Sequence, residues 1–133
     1  MDRRLCVFVV DDRPMIAYAL SAALRDHGYV VIPYIDPLSA LRDVERFIPD
    51  VLIRDIEKPD LGGVDLAIQV QTRCPDCKVF LMSGYTGRIE ELERARENGF
   101  RFQFFAKPVS AQTFARQIES LSGTNPYRQV ATT

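Results

Sequence analysis

The sequence predicts an α/β domain built on a five-stranded parallel sheet, strand order 2-1-3-4-5, with helices on both faces. Two observations carry this and one rule orders the strands. Strand-like and helix-like patterns alternate five times along 133 residues, joined by short connections. The strand-like runs are largely continuous in apolar residues, as strands covered on both faces are. Right-handed crossovers leave few topologies for such units, and 2-1-3-4-5 is the common five-stranded one.

The first strand is Leu5 to Val10 (LCVFVV). Asp11-Asp12-Arg13 follows, and Pro14 suits the first turn of a helix. Apolar residues at Ile16, Ala19, Leu20, Ala23 and Leu24 then form a helical stripe that stops before Gly28. Tyr29 to Tyr34 reads as the second strand, with Pro33 marking a strand end or a sheet edge. Asp36-Pro37 gives an N-cap and a first-turn proline, and Ala40, Leu41, Val44, Phe47 and Ile48 the next stripe.

Pro49-Asp50 leads into the third strand, Val51 to Asp55, which ends on an acid and is broken four residues later by Pro59. Gly62-Gly63 predicts a loop, and Leu66, Val70 and Cys74 mark a third helix. Lys78 to Met82 is the fourth strand, closed by Ser83-Gly84. The helix expected over 88–98 is heavily charged, with only Ile89, Leu92 and Ala95 as an apolar edge, so it is weakly anchored. Phe102 to Ala106 is a short fifth strand before Lys107-Pro108. Phe114, Ile118 and Leu121 give a last helix before Gly123. Alternation along the Phe100, Phe102, Phe104, Phe105 cluster buries some rings and leaves Phe102 or Phe104 on the opposite face, a patch for core packing or for docking. One domain is therefore expected over residues 1–123, with 124–133 a disordered tail or linker stub.

Composition sets bounds on function. Apolar residues make up 47% and charged residues 26%, ordinary for a globular domain, and the net charge of −1 gives no bulk attraction to nucleic acid or membrane. The N-terminus reads as neither signal peptide nor membrane span, so the expected location is cytoplasmic. Three cysteines, Cys6, Cys74 and Cys77, do not suggest a disulfide framework. Cys74-Pro75-Asp76-Cys77 has redox or half-zinc spacing. However, it sits between a helix and the following strand, and His27 is the only histidine, so a helix-ending turn is expected.

Chemistry gathers at the strand ends. Asp11 and Asp12, Asp55, Ser83 and Lys107 each follow a strand, and in a parallel sheet these ends share one edge. Three carboxylates there repel, each pair at about 4–5 Å by on the order of 3–4 kcal/mol at an effective dielectric near 20. Lys107 alone cannot balance them, and oxygen-only ligands point to Mg²⁺. A carboxylate beside Mg²⁺ and in line with a phosphoryl donor can accept that group as an acyl phosphate. The Lys107 ammonium and the Ser83 hydroxyl are placed to hold its oxygens.

In this set of motifs the chain resembles the receiver domain of bacterial two-component response regulators, including the stand-alone type known from chemotaxis. The carriers are the acid pair after strand one, Asp55 with Pro59 four residues on, Ser83 after strand four, and Lys107-Pro108 after strand five. The resemblance covers residues 4–123 and implies a doubly wound, flavodoxin-like fold. It also implies that Asp55 is the phosphoacceptor, Asp12 a direct Mg²⁺ ligand, Asp11 a ligand through water, and the backbone carbonyl of Glu57 a further ligand. Ser83 and Lys107 would bind the phosphoryl group, and Phe104 would be the aromatic whose rotamer reports phosphorylation. The phosphodonor would be a histidine kinase or phosphotransfer protein. The fourth helix, fifth strand and fifth helix would form the switching face for a downstream protein or a homodimer. Such a domain is not an enzyme beyond its self-catalysed phosphoryl transfer and autodephosphorylation.

This chain departs from the family pattern at several positions. Arg54 stands beside the acceptor where an apolar or small residue is usual, and Lys58 precedes the proline. Glu57 and Tyr85 occupy positions that tune the phosphoryl lifetime, and Phe104 replaces the more frequent Tyr. Two other functions use overlapping features. One is a pseudo-receiver that binds partners without phosphorylation. The other is a haloacid-dehalogenase-type phosphatase, which wants its nucleophile after strand one and a second Asp two residues later. The chain would be either a stand-alone regulator or the receiver piece of a longer protein.

Overall fold

The computed structural model of the chain describes residues 2–56, 61–84, 89–122 and 127–129. Five parallel strands form the central sheet: β1 (Cys6–Val10), β2 (Val30–Tyr34), β3 (Val51–Asp55), β4 (Lys78–Ser83) and β5 (Phe102–Ala106). Their spatial order is β2-β1-β3-β4-β5, the arrangement 2-1-3-4-5. Five helices connect or follow them: α1 (Pro14–Arg25), α2 (Pro37–Asp43), α3 (Leu61–Arg73), α4 (Glu90–Glu97) and α5 (Ala111–Ser122). Among the described residues no helix is long and apolar enough to cross a membrane.

The sheet divides the core in two, as the two-residue period of strands requires. Phe8, Val10, Leu52, Val79, Leu81 and Phe102 pack against α2, α3 and α4. Val7, Val9, Ile53, Phe80 and Met82 pack on the other face against Leu24 of α1 and Phe114 and Ile118 of α5. Asp50 ties the lower ends of three strands together. Its carboxylate accepts from Cys6 N at 2.8 Å, its N–H donates to Cys6 O at 2.8 Å, and its carbonyl accepts from Lys78 N at 2.9 Å.

Several expected details differ. In α1 the buried residues are Ala17, Ser21 and Leu24, with Leu20 partly buried, whereas Ile16 and Ala19 face solvent. Leu20 and Leu24 keep their expected places, and the stripe departs from expectation where small Ala17 and polar Ser21 line the sheet-facing side. α2 ends at Asp43, so Phe47 and Ile48 fall in the turn beyond it and are exposed. Its start is as expected, with the Asp36 side chain accepting from Leu38 N at 3.1 Å.

Gly62-Gly63 lies in the first turn of α3 and not in a loop. A Cβ at Gly63 would sit 2.9 Å from Ile56 Cγ1, so this helix can approach the end of β3 only with glycine there. Phe102 and Phe104 are two residues apart and so share a face, and it is Phe105 that packs on the other, edge-on to Phe80 and Phe114. Where an irregular tail was expected, Tyr127–Gln129 pairs antiparallel with Asp2–Arg4, using backbone hydrogen-bonding groups outside the central sheet.

Cys74-Pro75-Asp76-Cys77 is a turn closed by Cys77 N donating to Cys74 O at 2.9 Å. Both thiols are buried in the core, and burial raises the pKa of each, most strongly at Cys77. That is the opposite of what a reactive thiolate needs.

Candidate functional site

The upper edge of the sheet positions the candidate residues by strand alternation. Val7, Val9 and Asp11 share one face of β1, and Val51, Ile53 and Asp55 share the same face of β3, with Val9 in register with Ile53. Continuing both strands by one step brings Asp11 and Asp55 side by side. Asp12 falls on the alternate position and is exposed. Asp11 N still donates to Tyr34 O at 3.0 Å, which extends the ladder past the last residue of β1.

On the far side of β3, Lys107 follows Phe105 onto the same face. Lys107 N donates to Ser83 O at 2.9 Å, fixing the end of β5 to the end of β4, and the Lys107–Pro108 peptide bond is cis. The Lys107 ammonium lies 2.7 Å from Asp55 Oδ1 and 2.8 Å from Oδ2. Its side chain is 26% exposed and that of Asp55 only 1%. Ser83 is fully buried as the last residue of β4, one step beyond Met82, the register partner of Asp55.

The sequence reading missed one residue. Arg13 folds back from the β1–α1 connection and donates to Asp55 Oδ2 through Nη2. The same guanidinium contacts Asp11, with Nε 3.3 Å from Oδ1 and Nη2 3.5 Å from Oδ2, while Arg13 N donates to Asp11 Oδ1 at 2.9 Å. The hydrogen bonds that Arg13 donates to Asp11 are the chief cause raising the guanidinium pKa. Among the described residues two buried carboxylates thus face two cations, and those charges balance. The expectation that Lys107 stands alone against three acids is corrected on both counts. Asp12 points to solvent, and Arg13 supplies the second positive charge. The imbalance read from the sequence was itself the signal that could have found it.

Other expected positions divide clearly. Arg54 alternates with Asp55 and follows Leu52 onto the opposite face, where its Nε is buried without a hydrogen bond. Phe104 is half-buried against the core on that face, paired with Leu81. Glu57, with its expected carbonyl ligand, and Lys58 and Tyr85 lie outside the described residues.

For Mg²⁺ the donor chemistry fits. Asp11 and Asp55 supply carboxylate oxygens, the donor type that ion takes, and it needs only one or two of them. Asp55 Oδ1 is buried and lacks a hydrogen bond of acceptable geometry, which leaves it able to accept another partner. No group of three or more acidic, histidine or cysteine side chains is arranged for a metal among the described residues, and Asp12, expected as a direct ligand, is exposed beside the pair.

The chain is similar to several known proteins. A family model described as the response regulator receiver domain matches residues 7–119. The transcriptional regulatory protein CreB of Escherichia coli is 30% identical over 121 residues, covering 90% of this chain and 51% of CreB. The probable transcriptional regulatory protein TcrX of Mycobacterium tuberculosis is 28% identical over 115 residues, covering 86% of this chain and 48% of TcrX. The chain therefore spans about half the length of these relatives. A CheY-like receiver domain protein from Methanospirillum hungatei has the same fold, with a TM-score of 0.76 at 22% identity over 89% of this chain and 93% of that one. The receiver domain of a modulated diguanylate cyclase from Desulfovibrio desulfuricans superposes with a TM-score of 0.70 at 27% identity, over 86% and 90% of the two chains. The chain belongs to the response regulator receiver domain family of two-component systems.

Proposed function

We propose that the domain accepts a phosphoryl group on Asp55 from a phosphohistidine of a histidine kinase or phosphotransfer protein. The observation that carries this is the state of the Asp55 carboxylate. It is buried at a strand end, with the Lys107 ammonium 2.7 Å from Oδ1 and 2.8 Å from Oδ2.

Asp55 Oδ1 would attack phosphorus. The P–N bond to the imidazole breaks with its electron pair going to the ring nitrogen, and a P–O bond forms, giving an acyl phosphate. Lys107 would neutralise charge on the transferring oxygens, and the Ser83 side chain would donate to one of them. Mg²⁺, when bound, supplies further charge neutralisation at those oxygens. Hydrolysis of the acyl phosphate returns the free carboxylate. Family membership and the position of Asp55 after the third strand argue against the dehalogenase-type phosphatase.

The output surface in this reading is α4, β5 and α5. α4 is held to the core along one narrow edge, Ile89, Leu92 and Ala95, and Phe104 is half-buried against the same core cluster. An element so lightly anchored can shift when the site changes charge, and a downstream protein or a second copy of the domain would read the shift. A second reading, the phosphorylation-independent pseudo-receiver, is favoured by one observation, the Arg13 guanidinium lying across both carboxylates.

The experiment is incubation with Mg²⁺ and a small acyl-phosphate donor, followed by intact mass. One added phosphoryl group on the wild type and none on Asp55→Asn supports the phosphoacceptor. An unmodified wild type across several donors supports the pseudo-receiver.

A further inference from the structure

Arg13 differs from Lys107 in what it bridges and in how freely it can leave. Lys107 approaches from the β4–β5 side of β3 and pairs with Asp55. Arg13 comes from the β1 side and contacts Asp11 and Asp55 together. The side chains of Asp11 and Asp55 are 0% and 1% exposed, whereas that of Arg13 is 45% exposed. The anions are fixed by their strands and cannot move to water. The guanidinium sits on a flexible, half-exposed stem and can.

A guanidinium keeps its charge at any pH the fold survives, so it is not removed from the site by losing a proton. Any other cation that uses these oxygens must displace it. A divalent ion bound by carboxylate oxygens needs the lone pairs that Arg13 now occupies on Asp11 and on Asp55 Oδ2.

We propose that Arg13 is an internal counter-ion that competes with the divalent cation for Asp11 and Asp55, and that it swings out to solvent when the ion binds. The inference rests on the reading of Asp55 as a phosphoacceptor. It makes Arg13 a positioning residue that sets the metal concentration at which the site becomes competent. At low Mg²⁺ the carboxylates are held by the protein's own cations, and the domain is stable but unready.

The test is calorimetric titration of the intact chain with Mg²⁺, comparing wild type, Arg13→Gln and Arg13→Lys, with thermal unfolding of each recorded first. Arg13→Gln removes the competing charge and is expected to bind Mg²⁺ about tenfold more tightly. Arg13→Lys keeps the charge but has a shorter reach and no planar fork, so its affinity should fall between the two. If Arg13→Gln is not folded, the comparison of wild type with Arg13→Lys decides. Equal or weaker Mg²⁺ affinity in the folded variants overturns the proposal, as does an absence of Mg²⁺ binding in all three proteins. Acyl-phosphate labelling of the same samples separates the two readings. Unmodified Asp55 throughout overturns the phosphoacceptor, whereas labelled Asp55 with unchanged Mg²⁺ affinity overturns only the role of Arg13.

Discussion

Arg13 and Lys107 reach the same oxygen of Asp55 from opposite sides of its strand. Each makes the other partly redundant as a counter-charge. Removing Lys107 leaves Asp55 paired with Arg13, and removing Arg13 leaves it paired with Lys107, while Asp11 keeps its bond from Arg13 N. Both cations are partly solvated, so Arg13→Ala and Lys107→Ala are each expected to cost about 1 kcal/mol, near the upper end for screened pairs. The double variant strands a buried carboxylate and should cost roughly 3–5 kcal/mol, the range for an uncompensated buried charge. Urea denaturation of the four proteins at neutral pH closes the cycle. Strictly additive losses would mean that some other group carries the charge of Asp55.

The sequence made Asp55, Ser83 and Lys107 legible because each ends or directly follows a strand, and a parallel sheet gathers such ends on one edge. Arg13 was not legible. An arginine after two acids and before a helix-starting proline reads as a solvated loop residue, and nothing local says that it turns back over the sheet. The three-to-one charge imbalance is present in the sequence, but a bound metal alone is enough to account for it. Asp11 and Asp12 were read as a pair, although the two-residue period already separates them, since only odd positions of β1 share the face of Asp55. The fold was more accessible than the site because five alternating patterns constrain topology redundantly, whereas one long side chain is constrained only by where it ends.

Ser21 shows the same limit within the core. A helical stripe found by looking for apolar residues passes over a serine, yet Ser21 is fully buried on the sheet-facing side of α1, and its hydroxyl has no hydrogen-bond partner. Ser21→Ala should therefore stabilise the domain by about 1 kcal/mol, through removal of an unpaired buried hydroxyl and a better helix former. A higher urea midpoint at unchanged slope checks this. A lower midpoint would show that the hydroxyl is satisfied in solution.

At Gly63 two effects of similar size oppose one another. Alanine in a helix gains up to about 1 kcal/mol over glycine, but here the new methyl meets Ile56 Cγ1 at 2.9 Å, and Ile56 is itself buried. Overpacking a tight core costs about 1–3 kcal/mol, so Gly63→Ala is expected to destabilise by about 1 kcal/mol net. Ile56 follows Asp55 directly, so the strain is passed to the site. The variant should also accept a phosphoryl group from an acyl-phosphate donor more slowly than the wild type. Unchanged stability together with an unchanged labelling rate would show that Ile56 gives way freely.

The buried thiols predict how stability responds to alkali. Burial first, then the neighbouring Cys74, Asp50 and Cys6 charges, raise the Cys77 pKa above its ordinary 9.0, and burial does the same at Cys74. In the unfolded chain these thiols lose their protons near the ordinary value, while in the folded chain they keep them. Below about pH 9 neither state is ionised and the contribution is fully present. Above it the unfolded state binds fewer protons than the native one, so stability falls as pH rises, by up to about 1.4 kcal/mol per pH unit for each such group. Tyr34 adds to the loss from its ordinary 10.0 upward, because burial and its 2.9 Å hydrogen bond to Asp43 raise its pKa as well. Urea midpoints under reducing conditions should be flat from pH 7 to 8.5 and decline above pH 9. Cys77→Ala removes the most strongly shifted thiol, so it should start from a lower stability at pH 7, because of the small cavity, yet decline less between pH 9 and 10. Parallel curves for the two proteins would place the alkaline sensitivity elsewhere, with Tyr34→Phe the next variant to compare.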